Sequence, residues 1–244
     1  MTSLNHVLDI SRQDLQSRML DLSVVSNNLS NFNTIGYKSI RTNFQEFLDS
    51  QLENGVQIAS TQTLVKQGAI KASDEPLDMA IEGEGYFAVR LPDGKTGYTR
   101  DGQFSLDANR TVVNANGYPL IWNGTIPENF EEVRVRSTGV IEYRVGDDWT
   151  QAGSLQLYRF PNAGGLLFLG KNIWLESQAS GAVQAGTPES TNFGRLQPKN
   201  LEMANMELSE ELTHMMTIQR IFTMSLRSFQ QTDQMISQAI NMRR

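Results

Sequence analysis

Hydrophobic residues recur every seven positions at both ends of the chain, a spacing that puts an apolar stripe along one side of a helix. The N-terminal stripe contains Leu4, Leu8, Leu15, Leu22, Val25 and Leu29, and Gly36 is expected to end this helix. The C-terminal stripe contains Leu208, Leu212, Met215, Phe222, Leu226, Phe229, Ile236 and Ile240. Because an exposed stripe does not stabilise a helix in water, we expect the two ends to pair and to contact other subunits as well.

The centre of the chain has the short alternating runs and turn sequences of β-structure. Strands are expected at 77–81, 86–91, 98–100, 104–106, 111–113, 133–136, 140–144 and 154–160. Turn sequences such as Pro92-Asp93-Gly94 and Asn116-Gly117 separate them. No alternation of strands with helices is present, so the pattern predicts an antiparallel sandwich or irregular barrel. The predicted fold class is α+β, with paired coiled-coil-like terminal helices and a central antiparallel β domain.

Glycine and proline divide the chain in the same way. The first 35 residues contain neither, and neither occurs after Pro198. We therefore predict a terminal helical domain from residues 1–35 and 200–244, an extended linker region at 36–70, and a central β-rich domain at 71–199. Acidic residues concentrate in the centre, where 71–196 carries sixteen acids and eleven bases.

Composition and charge narrow the possible functions. The 244 residues have a formal net charge of −6, which argues against nucleic acid and anionic membrane surfaces as partners. There is no cysteine, so thiolate metal sites, disulfides and cysteine nucleophiles are excluded. The apolar runs are too short to span a bilayer, and Asp9, Arg12 and Asp14 interrupt the N-terminus where a cleaved leader needs an apolar core.

No group of residues predicts catalysis. The two histidines, His6 and His214, lie in the predicted helices, where packing or surface roles are more common than chemistry. Gly83-Glu84-Gly85 begins a dinucleotide-like pattern, but the chain continues as a strand, so a tight turn between strands is expected. The acidic pairs Glu82/Glu84 and Asp147/Asp148 stand beside turn glycines and are expected to be solvated. We predict no catalytic residues, no cofactor, no metal site and no small-molecule substrate.

A segment after the first stripe is distinctive. Its ordered residues are Asn27, Asn28, Leu29, Asn31, Thr34, Gly36, Tyr37 and Lys38. It resembles the N-terminal signature of bacterial flagellar axial proteins, which reads Ala-Asn-Asn-Leu-Ala-Asn followed by Thr-x-Gly-Phe/Tyr-Lys, with Ser26 and Ser30 in place of the alanines.

Two further stretches are similar to the same family. Residues 97–104 and 116–120 look like the central core of rod and hook proteins, and the run from Leu208 to Phe222 resembles the family's closing helix. The resemblance covers essentially the whole chain, and its length favours the proximal or distal rod members.

The resemblance implies a structural subunit of the flagellar basal-body rod, the drive shaft that transmits torque from motor to hook. It implies terminal helices that form the inner tube and an outer β domain. It also implies export by the flagellar type III apparatus without a cleaved signal peptide, and partners that are copies of the chain and other rod or hook proteins. The location implied is the basal body, in the rod that spans the periplasm.

Three alternatives remain open from the sequence. A hook or hook-associated axial protein would share the same features. A cell-wall polysaccharide hydrolase would use an acidic pair such as Glu82 and Glu84. A soluble coiled-coil adaptor would have ordered, strongly helical ends as an isolated protein.

Overall fold

A computed structural model of the chain describes residues 2–47 and 55–241, and the side chains of residues 9–43, 61–235, 237 and 238. The described chain divides into two compact units. Unit 1 comprises 1–32, 39–64 and 206–244, and unit 2 comprises 33–38 and 65–205. The chain is α+β, with one helix near each end and antiparallel sheets in between. Within the described ranges, no helix is long and apolar enough to cross a membrane.

Unit 1 contains two long helices and one hairpin. Helix α1 covers Thr2–Ser30, strands β1 and β2 cover Ile40–Phe47 and Gly55–Thr63, and α2 covers Leu208–Asn241. At 1.5 Å per residue α2 is about 50 Å long. The two strands pair antiparallel, with a register shift between Asn43 and Phe44. The segment predicted as an extended linker therefore contains a β-hairpin.

The predicted end of the first helix is wrong. The helix stops at Ser30, six residues before Gly36. The N–H of Asn31 donates to the carbonyls of Asn27 and Asn28, and the side-chain amide of Asn31 also donates to the Asn27 carbonyl. These bonds satisfy carbonyls at the end of the helix, which polar Asn achieves locally without a glycine.

Unit 2 is built from short antiparallel strands, β3 to β18. In chain order they are Ile70–Ala72, Met79–Glu82, Phe87–Arg90, Thr96–Thr99, Phe104–Leu106, Val112–Asn114, Asn123–Gly124, Glu132–Val135, Val140–Val145, Asp148–Ser154, Leu157–Arg159, Leu167–Gly170, Ile173–Leu175, Gln184–Gly186, Arg195–Pro198 and Asn200–Glu202. A 3-10 turn at Ala163–Gly165 precedes β14.

The strands of unit 2 form two four-stranded sheets and several two-stranded ones. The larger sheets have the orders β10-β11-β12-β9 and β14-β15-β6-β5. The pairs are β13-β16, β17-β4, β18-β3 and β7-β8. Two pairs join the start of the β region to its end, because β3 and β4 pair with β18 and β17. Residues 70–82 and 195–202 therefore close unit 2 on itself.

Two of the predicted strands differ from the structure. The run predicted at 154–160 is divided, because β12 ends at Ser154 and β13 begins at Leu157. The polar sequence of β12, which starts at Asp148, has no hydrophobic alternation to reveal it. In β4, Met79, Ala80 and Ile81 are all buried, so the expected one-sided alternation is wrong and both faces of this strand are covered.

The core of unit 2 is one large apolar cluster with a smaller aromatic one beside it. The fully buried members of the first include Met79, Ile81, Phe87, Ile141, Leu155, Leu157, Ile173 and Leu196. In the second, Tyr98 and Phe160 meet edge to face at 4.8 Å, and Tyr86 contacts Trp174 at 6.1 Å. Dispersion and apolar burial on this scale are sufficient to stabilise a domain of this size.

Candidate functional site

The two terminal helices pack against each other in opposite directions. Ser225 Oγ donates a hydrogen bond to Asp14 Oδ2 at 2.6 Å, and Asn28 Nδ2 donates to Glu211 Oε1 at 3.3 Å. These contacts lie fourteen residues apart on each helix and in reverse order, so α1 and α2 are antiparallel. The predicted pairing of the chain's ends is present in unit 1, with polar contacts along its seam.

On α2 the less exposed side contains part of the predicted stripe. In the described part of this helix Ile218 is buried, and Met215, Phe222 and Phe229 of the predicted stripe are half-buried. Three other predicted positions, Leu208, Leu212 and Leu226, are exposed. The side chains of Ile236 and Ile240 lie outside the described residues. Ile218 lies seven residues after Glu211 and seven residues before Ser225. These three positions form a seven-residue series that hydrophobic periodicity does not predict, because two of its members are polar.

On α1 the buried positions are mostly polar. Val25 is buried, and Leu15, Leu22 and Leu29 are half-buried, while the side chains of Leu4 and Leu8 lie outside the described residues. In the described part of this helix the other buried residues are Ser17, Asp21 and Asn28. Hydrophobic periodicity does not indicate buried polar residues, and Asp21 and Asn28 have hydrogen-bond partners on neighbouring elements.

The hairpin of unit 1 supplies some of those partners. Thr42 Oγ1 donates to Asp21 Oδ1 at 2.6 Å. Asn28 forms a two-way pair with the backbone of Ile40: its amide donates to the carbonyl at 2.8 Å and its carbonyl oxygen accepts from the N–H at 3.0 Å. Asn28, a residue of the distinctive segment, thus connects α1 to both β1 and α2.

Large apolar side chains on both helices face solvent. The exposed fractions are 60% for Met19, 57% for Leu20, 55% for Met216, 69% for Met224 and 64% for Met235. They lie on several sides of the helices, beyond the face that α1 and α2 cover for each other. Large apolar side chains at so many exposed positions of one helix pair leave surface that other chains can cover.

The second part of the distinctive segment, with Thr34, Gly36, Tyr37 and Lys38, belongs to unit 2. The N–H of Tyr37 donates to the Thr34 carbonyl, and both Tyr37 and Lys38 are buried. Gly36 has a φ of +66°, and a Cβ there would lie 2.5 Å from the Arg100 carbonyl carbon and the Asp101 nitrogen. Only glycine fits this position, for both its conformation and its close approach.

Lys38 enters a buried group of charges. Its Nζ lies 2.6 Å from Glu202 Oε1, and Arg100 Nη1 lies 3.4 Å from Glu202 Oε2. Burial lowers the pKa of Lys38 below its ordinary value, although the carboxylate of Glu202 opposes this shift. The guanidinium of Arg100 also lies over the Tyr86 ring, 5.1 Å from its centroid. Apart from the lysine of the distinctive segment, no pattern in the sequence predicts this group.

Glu82 and Glu84 line the same open cleft, and each of them is paired with an arginine. Glu82 accepts hydrogen bonds from Arg195 and Gln197 at 2.6 Å, and the bond from Arg195 lowers the pKa of Glu82. Glu84 is held by Arg159. Each carboxylate therefore has its own cation.

The remaining candidates are also apart from any reactive group. His214 is exposed on α2, and the His6 side chain is outside the described residues. Asp147 and Asp148 are exposed at the turn into β12. Gly83-Glu84-Gly85 connects β4 to β5 without a helix. The part of the chain that the structure describes contains no group of three or more potential metal ligands.

Known families match two parts of the chain. Residues 80–143 match the flagellar hook protein FlgE/F/G D1 domain, and residues 197–242 match the flagellar basal body rod FlgEFG protein C-terminal family. The first match falls within unit 2, and the second covers α2 and the strands before it.

Whole proteins of the same kind are similar over nearly the full chain. The flagellar basal-body rod protein FlgG of Buchnera aphidicola subsp. Acyrthosiphon pisum is 34% identical, over 93% of this chain and 95% of its own length. That of Borreliella burgdorferi is 32% identical, over 94% of this chain and 96% of its own. The flagellar hook-basal body complex protein FlhP of Bacillus subtilis is 28% identical, over 88% and 91%.

Proposed function

The chain belongs to the flagellar basal-body rod protein family and is a structural subunit of the rod, and from this premise we propose that its terminal helices join copies of it into a helical drive shaft. In this proposal the subunit transmits torque from motor to hook by mechanical contact. A heterologous contact that does not close into a ring generates a helical filament, which is the geometry such a shaft needs.

The observation that carries this proposal is the apolar surface on α1 and α2. Met19, Met216, Met224 and Met235 are more than half exposed on helices whose mutual seam contains polar residues. An apolar exterior around a polar seam is costly for a subunit alone in water. It is favourable when neighbouring helices cover that exterior, so assembly supplies burial that the single chain lacks.

We further propose that the predicted interface residues act in this lattice. Leu208, Leu212 and Leu226 are exposed and are available to a neighbour, whereas Met215, Phe222 and Phe229 are half-buried beside α1. Coiled-coil packing between subunits follows from the same seven-residue spacing. We also propose that the chain has a terminal helical domain at 1–35 and 200–244, an extended linker region at 36–70, and a central β-rich domain at 71–199.

The proposed partners are copies of the chain, other rod and hook axial proteins, and the flagellar type III export apparatus. Export without a cleaved signal peptide and a place in the periplasm-spanning part of the basal body belong to the same proposal. The role is mechanical, not enzymatic, since Glu82 and Glu84 are each engaged by an arginine. Similarity to a hook-basal body complex protein keeps a hook-associated position as the second candidate.

The test replaces exposed apolar residues of α2 in the full chain. Leu212→Glu with Met216→Glu adds two negative charges to the proposed contact surface, and Gln230→Glu with Gln231→Glu, at exposed positions of the same helix, is the control matched for charge. Each tagged variant replaces the native protein in cells, and hook–basal bodies are then purified. We expect the control in the rod and the Leu212→Glu, Met216→Glu variant absent from it, although this variant folds when purified. Equal incorporation of both would overturn the proposal, and a label at the hook would favour the second candidate.

A further inference from the structure

The chain passes between its two units four times, after residues 32, 38, 64 and 205. On the side of unit 2, these crossings belong to three segments. We call them the crossing segments and define them as residues 33–38, 65–69 and 200–205. Any force carried along the chain from one unit to the other passes through them.

One carboxylate contacts all three crossing segments. Glu202, in the third, accepts hydrogen bonds at Oε1 from Lys38 Nζ at 2.6 Å and from the Gly68 N–H at 2.8 Å. Its backbone carbonyl accepts from the Gly36 N–H at 2.7 Å. The side chain of Glu202 is fully buried, so these bonds are made away from competing water.

A second set of bonds closes the same junction. The Lys66 carbonyl accepts from Lys38 Nζ and from Asn205 Nδ2, both at 2.9 Å. The Asn205 N–H donates to the Tyr37 carbonyl, and the Met203 N–H donates to the Ala69 carbonyl. Each crossing segment is therefore bonded to both of the others.

Two glycines let these segments approach so closely. A Cβ at Gly68 would lie 2.0 Å from the Met203 carbonyl oxygen. A Cβ at Gly36 would clash in the same way with the backbone of Arg100 and Asp101. Arg100 then connects the junction to the β core. Its Nη1 contacts Glu202 Oε2 at 3.4 Å, and its Nη2 donates to the Gly83 carbonyl at 2.8 Å.

We propose that Glu202 is a junction residue, which holds the three crossing segments to one another and to the β core within unit 2, and so keeps the unit 2 ends of all four crossings in one buried group. Its mechanical meaning, that torque on the helices reaches the β region through this point, rests on the proposed function. The bonding role itself does not, because it concerns unit 2 alone.

The charge arrangement explains why Glu202 is critical. Among the described residues, it is the carboxylate that bonds both buried cations, Lys38 and Arg100. Removing a buried cation leaves a balanced pair, whereas removing the shared anion leaves two uncompensated cations close together. Such a group fixes a unique arrangement of segments more than it adds to overall stability.

The test is amide hydrogen exchange on the full chain, comparing Glu202→Gln with Glu82→Gln. Glutamine keeps the shape and removes the charge in both, and Glu82 forms a half-exposed pair with Arg195 in the same unit. We expect Glu202→Gln to speed exchange at Gly36, Met203 and Asn205 on the order of tenfold or more, while amides of β5 keep their protection. Glu82→Gln is expected to change none of them.

Unchanged protection at Gly36, Met203 and Asn205 in Glu202→Gln would overturn the proposal. If Glu202→Gln unfolds throughout, Lys38→Met decides. It leaves the balanced Glu202–Arg100 pair but removes the side-chain bonds from the first crossing segment to Glu202 and Lys66, so exchange at Gly36 and Asn205 should still speed up. Native protection there in Lys38→Met contradicts the proposal. Absence of the unmodified chain from purified basal bodies would instead contradict the proposed function, so the two failures are distinguishable.

Discussion

Apolar residues outnumber polar ones in the interior of unit 2, whereas polar residues are the more numerous at the buried positions of the described helix pair. Unit 2 encloses a continuous apolar cluster, with Phe87, Ile141 and Leu155 fully inaccessible to solvent. On the described part of the helix pair, buried positions include Asp21 and Asn28, while methionines and leucines face outward. Unit 2 thus resembles an ordinary domain, and unit 1 resembles a component that is completed by neighbours.

This difference indicates that unit 2 folds independently, whereas the helices of unit 1 depend on assembly for much of their stability. A unit with a full core stays folded whether or not it is assembled. Helices with apolar exteriors gain most of their burial from other helices, so their stability depends on concentration and on partners. All three tryptophans, at 122, 149 and 174, lie in unit 2, so fluorescence reports that unit and helical circular dichroism reports α1 and α2.

The largest expected effect is in the core of unit 2. Phe87 packs edge to face on Phe104 at 5.2 Å and is fully buried. Phe87→Ala should lower the free energy of unfolding by about 3–5 kcal/mol, from lost apolar burial and the cavity left behind. Denaturant unfolding followed by tryptophan fluorescence measures this. A loss below about 1 kcal/mol would contradict a self-sufficient core.

The next effect is at the apolar centre of the helix seam. Ile218→Ala should lower helix stability by about 2–4 kcal/mol, because Ile218 is the buried apolar residue of α2 in its described part. The denaturation midpoint measured by helical circular dichroism should fall, while the midpoint measured by tryptophan fluorescence stays unchanged. An unchanged helical transition would mean that the α1–α2 seam adds nothing in the free subunit.

A buried acid makes unit 2 depend on pH. Burial, with a smaller contribution from the nearby carboxylate of Asp78, raises the pKa of Asp101 to about 6, although the Gln103 N–H opposes the shift. Because the pKa is higher in the folded state, its stabilising contribution is complete below the ordinary Asp pKa and is lost as pH rises through about 6.

Asp101→Asn removes this dependence and keeps an acceptor for the Gln103 N–H. Relative to the unmodified chain, the variant should gain about 1–3 kcal/mol in unfolding free energy between pH 4 and pH 7.5. Tryptophan-monitored unfolding across that range measures the gain. A constant difference between the two proteins at every pH would show that Asp101 does not titrate there.

The smallest effect on stability is expected where the effect on assembly is largest. Met224→Ala with Met235→Ala should change the unfolding free energy of the free subunit by less than about 0.5 kcal/mol, since both side chains are mostly exposed. The same variant should enter basal bodies poorly when it competes with the unmodified chain. If the variant loses stability but enters basal bodies normally, the methionines stabilise the free subunit and do not form contacts between subunits.

Periodicity revealed the general architecture but not the helix seam. Heptad leucines and turn-rich alternation predicted two terminal helices and a central antiparallel region, because both patterns follow directly from side-chain geometry. The seam at Glu211, Ile218 and Ser225 went unpredicted, since its polar members match partners that only the fold brings together. Asn28 was found by resemblance alone, and its contacts with Ile40 span a turn that no local pattern specifies.

The buried junction was also out of reach of the sequence. Lys38, Arg100 and Glu202 are separated by 62 and 102 residues, and charged residues are ordinarily expected at the surface. Gly36 is predicted as the end of a helix and belongs to the distinctive segment, but neither prediction includes its role in the junction. Its left-handed φ and its approach to the Arg100 backbone are set by the tertiary structure, not by the neighbouring sequence.

Imaging assembled basal bodies at side-chain resolution is the direct test of whether the terminal helices form the contacts between subunits. We expect helices of neighbouring subunits to cover Met19, Met216, Met224 and Met235 of each subunit, in a lattice of repeated contacts. Contacts between subunits that run through the β strands of unit 2, with these methionines still facing water, would contradict it.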